Sequence, residues 1–169
     1  IVMNINHLPT LVAQPYHHSL EESMQRKDYQ YYTLEYSLGV LSGIVLSCIL
    51  QEHQIVQDGD PSSAIEKQKE KVANIRANLI ADIGQMSMGK WMGLVREGTK
   101  VIKKFNVSHP IAQLFLPLAD SKHPFHKASN ALIQKRNEDM HGHPIPEEKL
   151  TIELEKRHML LREVLAVFD

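Results

Sequence analysis

Arg136, Asn137, His141 and His143 fall inside the segment RNEDMHGH, where a helical pattern runs into Gly142 and Pro144. The set combines a guanidinium that stays charged, an amide, and two imidazoles that titrate near neutrality. Such a set suits a phosphodiester. Arginine binds phosphate in a bidentate manner and stabilises charge developing on it. Histidine removes a proton from a nucleophile or gives one to a leaving group. In RNA the nucleophile is the neighbouring 2′-hydroxyl, so the expected chemistry needs neither metal nor cofactor. Asn137 would orient one of the partners. On an ideal helix Asn137 and His141, four apart, share a face, whereas Arg136 and His141 point about 140° apart. Gly142 and Pro144 end the helix at His141 or His143, which offers the imidazoles a way out of the strict helical direction. Which of the two histidines acts stays open at this level. The plain alternative is that Arg136 and Asn137 are surface residues and His141-Gly142-His143 only a helix C-terminus, where cationic histidine is favoured by the dipole.

Charge is uneven around this segment. Between Lys100 and Arg136, six lysines and one arginine face a single acid, Asp120. Lys122, Lys127 and Lys135 are therefore candidate RNA contacts along an electrostatic track. They could equally be solvated lysines on exposed faces. From Glu138 to Glu155, six acids face one lysine. Glu138 and Asp139 would repel RNA locally, raise the pKa of His141, or pair with a cation across a dimer. His141, His143 and Glu147 could be read as a metal cluster, but no other ligand set has zinc spacing and there is no H-E-x-x-H. Tyr29, Tyr31, Tyr32 and Tyr36 could stack bases but fit helix packing better. His17-His18 reads as a solvated pair. No Walker A loop, G-x-G-x-x-G or G-x-S-x-G is present.

The elements that must position these groups are helical. Residues 1–18, with Pro9 and Pro15, read as an irregular arm, and 19–169 as one helical domain. Leu34, Leu38, Leu41, Val45, Ile49 and His53 recur at steps of three or four, giving a helix to about Val56. Asp60-Pro61, or the box Ser63-x-x-Glu66, opens a second, with Ile65, Val72, Ile75 and Leu79 on one side and Gly84 at its end. A third carries Trp91, Leu94, Val95, Val101 and Phe105 near one face; Gly89 and Gly93, four apart, could admit another helix closely. A short helix from Pro110 to Leu118 follows, then one from about Pro124 that bears the motif. Pro146-Glu147-Glu148 opens the last, whose stripe is Leu150, Leu154, Leu161, Val164, Leu165 and Phe168. No alternating strand pattern is present, so the expectation is an all-α bundle of about five to seven helices.

At 43% hydrophobic and 23% charged, with a formal net charge of -1, the 169 residues can bury a core and are no general polycation. The one cysteine, Cys48, excludes an internal disulfide framework and fits a reducing cytoplasm; it reads as a small core residue. The longest apolar run, Leu38 to Leu50, is shorter than the roughly 20 residues a bilayer needs, so no membrane span is expected. Since the first residue is Ile1, the sequence could be part of a longer protein.

RNEDMH in a late helix of an all-α chain resembles the HEPN superfamily (higher eukaryotes and prokaryotes nucleotide-binding), whose ribonuclease members carry R-x4-6-H, often with a polar residue after the arginine. Of the six arginines only Arg136 meets this spacing, with both His141 and His143. The resemblance in fold covers about Ser19 to Phe168; the specific motif is six to eight residues. It implies a HEPN-like bundle and a metal-independent endoribonuclease that leaves a 2′,3′-cyclic phosphate. Arg136 and His141 would be catalytic, Asn137 supporting and His143 secondary. It also implies a composite site across a homodimer or paired domain, and a role as toxin or antiviral-defence effector with a sensor or antitoxin partner. Other members have lost catalysis and bind partners.

Overall fold

The computed structural model describes residues 8–20, 25–57, 70, 73–74, 77, 87–105, 110–142 and 145–168, with backbone alone for 50–57 and 105. The chain is all-α: every regular element among the described residues is helical. These are α1 (Thr10–Ser19), α2 (Arg26–Gln57), α3 (Met88–Phe105), α4 (Pro110–Leu114), a 3-10 turn at Leu116–Ala119, α5 (Pro124–Met140), α6 (Glu147–Leu165) and a closing 3-10 turn at Ala166–Phe168. Of the helix expected between Asp60 and Gly84 only residues 70, 73–74 and 77 are described, all of them helical; Ile65, Val72, Ile75 and Leu79 lie outside the described residues, as do His143, Pro144 and the side chains of His53 and Phe105.

Two compact units emerge: residues 1–40 with 121–169, and residues 41–120. In the first, α1, the first half of α2, α5 and α6 bury Val12, Tyr16, Leu34, Leu38, Phe125, Leu132, Leu161 and Leu165. α5 and α6 pack directly on one another. The Gln30 amide of α2 donates to the Leu154 carbonyl of α6 at 3.0 Å, which satisfies a buried donor that would otherwise be costly.

α1 corrects the irregular arm. Pro9 sits at the N-cap, where its missing N–H costs nothing, and its carbonyl accepts from Val12 and Ala13 at 2.8 and 2.9 Å. Pro15 is inside the helix and forfeits one bond. Val12, Pro15, Tyr16 and Ser19 are all buried, and Tyr16 stacks on His158 at 5.8 Å. That burial outweighs the proline penalty, and the sequence shows it only once the neighbouring helix is known. Arg26 Nε donates to the Ser19 carbonyl at 3.0 Å and closes the C-terminal end of α1.

In the second unit Val45, Cys48, Ile49, Val101, Ile102 and Ala112 form one apolar cluster. Val95 and Val101 are buried as the periodicity predicts, joined by Met88, Met92 and Ile102, while Trp91 and Leu94 stay half-buried. The close approach occurs at Gly98 rather than at Gly89 or Gly93: a Cβ on Gly98 would clash with Val45 Cγ1, whereas one on Gly93 would meet nothing within 4 Å. Thr99 Oγ1 shares its one proton between the carbonyls of Val95 and Leu118, 2.8 and 3.2 Å away, which ties the 3-10 turn to α3. By length and composition Arg26–Ile49 of α2 is apolar enough to cross a membrane, and half of its most apolar window is buried within the protein.

Candidate functional site

The motif lies on the last turn of α5 and just beyond. At the other end His123 is the N-cap, its Nδ1 accepting from the Phe125 N–H at 3.3 Å, with Pro124 at the first helical position. The C-terminal end is better kept than the Gly-His-Pro sequence suggests. The His141 N–H still bonds the Asn137 carbonyl at 3.0 Å, and the Gly142 N–H reaches the Asp139 carbonyl at 3.4 Å. The chain turns away at the ψ of His141 and at Gly142, whose φ of 82° is in the left-handed region. His141, the C-cap, keeps a φ of -91°, within about 30° of the helical value, while its ψ of 16° has already left the helix. The helix therefore ends at His141, as the sequence suggests, with the amide and φ of that residue still close to helical and its ψ not.

One side chain fixes how this turn is rotated. Asp139 points into the protein and accepts from Arg157 Nη1 at 2.8 Å, from Arg157 Nη2 at 3.3 Å and from the Tyr31 hydroxyl at 2.7 Å. Lys27 Nζ is 3.9 Å away. Arg157 also donates to the Tyr31 hydroxyl and lies 5.4 Å from the centre of its ring. On the far side Glu153 accepts from Lys135 and sits 3.7 Å from Arg157 Nε. The network thus joins α2, α5 and α6. Helical geometry gives the consequence: with Asp139 inward, Lys135 lies about 40° from it, Arg136 about 60°, and Asn137 and His141 about 160°. The observed exposure follows this order, Lys135 and Arg136 half-buried, Asn137 and His141 exposed.

Burial alone would raise the Asp139 pKa, but the hydrogen bonds from Arg157 and Tyr31 outweigh it and hold the carboxyl below its usual range. Tyr31 is pushed well above the ordinary phenol value, first by burial and then by its bond to Asp139. For Arg157 burial favours the neutral form, and Asp139 more than reverses that. Burial also acts on Glu153, and Lys135 wins, keeping it ionised. Asp139 therefore spends its charge on Arg157 and Tyr31 of its own chain. Glu138 is exposed and accepts from the Gln134 amide at 2.8 Å.

The remaining candidates divide. Arg136, Asn137 and His141 make no side-chain hydrogen bond or ion pair with any described residue. Lys135 is committed to Glu153. Lys127 is exposed on the side of α5 that carries His141, some 21 Å along the axis from it. Lys122 is exposed before α5 begins. A cleft of about 490 Å³ opens beside the network, lined among others by Lys135, Asp139, Ile145, Pro146, Glu153 and Arg157. Arg136, Asn137 and His141 are not among its described lining residues. Among the described residues no group of three histidine, cysteine or acidic side chains is placed to hold a metal.

Sequence reasoning missed Arg157 and the role of Tyr31. A signal existed: Arg157 falls three residues after Leu154 and four before Leu161, squarely on the apolar stripe of α6. A charge on such a stripe needs a buried counter-charge, and Asp139 was the acid unaccounted for. His18 meets Tyr29 with ring centres 4.9 Å apart, so Tyr29 packs α1 onto α2, while Tyr32, 6.2 Å from Tyr29, and Tyr36 stay about half exposed. Comparison of the chain with models of known protein families, with curated proteins and with solved structures finds no match.

Proposed function

We propose that the chain is a HEPN-type endoribonuclease that cuts RNA by attack of the 2′-hydroxyl, without metal, in a toxin or antiviral-defence role. One observation carries this reading. At the C-terminal end of α5 Asp139 is engaged inside the chain, while Arg136, Asn137 and His141, groups suited to phosphodiester chemistry, are left without partners among the described residues. Arg136 would hold the scissile phosphate, His141 would move the proton, and Asn137, on the same side of the helix as His141, would orient it.

Arg136 and His141 stay about 140° apart around α5, so one copy does not bring both onto one phosphate. The proposal therefore includes a second copy, with the arginine of one chain serving the histidine of the other. The test is cleavage of single-stranded RNA in EDTA by the wild type, Arg136→Ala, His141→Ala and a mixture of the two variants. The expected result is loss in each variant and partial recovery in the mixture. Cleavage that survives both substitutions, or that requires a divalent ion, refutes it.

A second reading, a HEPN-like module that assembles without catalysis, draws on exposed apolar side chains of the same unit: Met140 at 70%, Ile152 at 60% and Met159 at 68% exposure. It predicts a sedimenting dimer with no cleavage, and a monomer when Ile152 and Met159 become serine.

A further inference from the structure

The last turn of a helix is its weakest. Its carbonyls lack successors, and helix ends fray. α5 has no basic residue in that turn to offset the dipole; the turn follows Arg136, carries Asn137 and leads directly into His141. Among the described residues, the side chain of Asp139 alone ties this turn to the rest of the unit through polar contacts: two bonds from Arg157 and one from Tyr31. Arg157 is itself fixed, with 2% of its side chain exposed, Tyr31 bonded to it, and Glu153 close to its Nε. A planar guanidinium gripping both carboxylate oxygens fixes rotation about the helix axis as well as distance. Apolar packing of equal volume would supply the second without the first.

From this geometry we propose that Tyr31, Asp139 and Arg157 are positioning residues: a three-helix latch that sets the rotation of the last turn of α5, and so the direction in which Asn137 and His141 face. As a statement about catalysis this rests on the ribonuclease reading above. As a statement about the helix end it does not. None of the three touches the phosphate. Their effect arises because a displacement of about 1 Å in a proton-transferring group lowers the rate by up to about 100-fold.

The experiment uses Tyr31→Phe, which deletes one hydroxyl and leaves the packing of the ring. Asp139→Asn is the second variant should the first not fold. Two readouts are taken under conditions where the variant is folded by circular dichroism: kcat and KM per folded molecule for RNA cleavage in EDTA, and hydrogen exchange of the His141 and Gly142 amides. Those amides bond Asn137 and Asp139 and report the turn directly. The expected result is a fall in kcat of roughly tenfold with KM within about twofold, and faster exchange confined to 141 and 142. A merely structural role would lower the folded fraction and leave kcat per folded molecule unchanged. A folded variant with wild-type kcat overturns the latch and leaves the ribonuclease reading standing. A wild type that does not cleave overturns the ribonuclease reading, and exchange alone then decides: unchanged amides at 141 and 142 overturn the latch, faster ones uphold it.

Discussion

Replacing Arg157 by methionine isolates how the buried pair with Asp139 is balanced. Arg157 exposes 2% of its side chain and Asp139 9%, so water screens neither charge well. Methionine keeps most of the buried stem, which makes the cavity contribution small. What remains is a carboxylate left with the Tyr31 hydroxyl and with Lys27 at 3.9 Å. Removing one member of a buried pair costs about 3–5 kcal/mol, and those two surviving partners put the expectation at the lower end, about 3 kcal/mol. Asp139→Asn keeps an acceptor for the hydrogen bonds and leaves Arg157 with Glu153 at 3.7 Å, so about 2 kcal/mol is expected. The double variant removes both charges together. It is expected to lie about 2 kcal/mol below the wild type rather than at the sum of the single losses, a coupling of about 3 kcal/mol. Urea unfolding at neutral pH, followed by far-ultraviolet circular dichroism with a constant slope, measures all four corners of the cycle. Additive losses, or single losses under about 1 kcal/mol, would refute the claim that the pair is buried and mutually dependent.

Two further outcomes are expected. Gly98→Ala forces a methyl against Val45 and is expected to destabilise by about 1–3 kcal/mol, while Gly93→Ala, in open space within the same helix, is expected to stabilise by about 0.5–1 kcal/mol; thermal melting of both decides whether Gly98 is the point of close approach. The pH profile carries two signs. Tyr31 has a folded pKa above its unfolded one, so its contribution is complete below about pH 10 and is lost as pH rises beyond. Asp139 has a lowered folded pKa, so its contribution is complete above about pH 4 and is lost as pH falls through the folded value. Urea titrations across pH are expected to show both limbs in the wild type and to lose the alkaline one in Tyr31→Phe.

The helix ends were largely legible because local chemistry sets them. Pro124 and Pro146 open α5 and α6, and Gly142 ends the motif helix by adopting a backbone angle that other residues avoid. What local chemistry does not contain is which face meets which. α1 was hidden because Pro9 and Pro15 read as breakers until Val12 and Tyr16 have something to pack on. Gly89 and Gly93 have the spacing for a close approach, but Val45 meets Gly98. The inward turn of Asp139 depends on Arg157, eighteen residues later on another helix. His141 could not be placed by sequence because one residue of difference in where a helix stops decides whether its side chain follows the helix or leaves it.

The division of the chain after Val40 also sorts its chromophores. All five tyrosines, Tyr16, Tyr29, Tyr31, Tyr32 and Tyr36, belong to the unit that holds the motif, and the single tryptophan, Trp91, belongs to the other. Each half therefore carries its own optical label without any substitution. Emission excited at the red edge of the indole band follows the second alone, and near-ultraviolet dichroism in the phenol band, once the indole share is subtracted, follows the first. Melting curves that coincide in the two bands mean a single cooperative event; curves that separate rank the two halves by stability and tell whether the motif outlasts the rest of the chain.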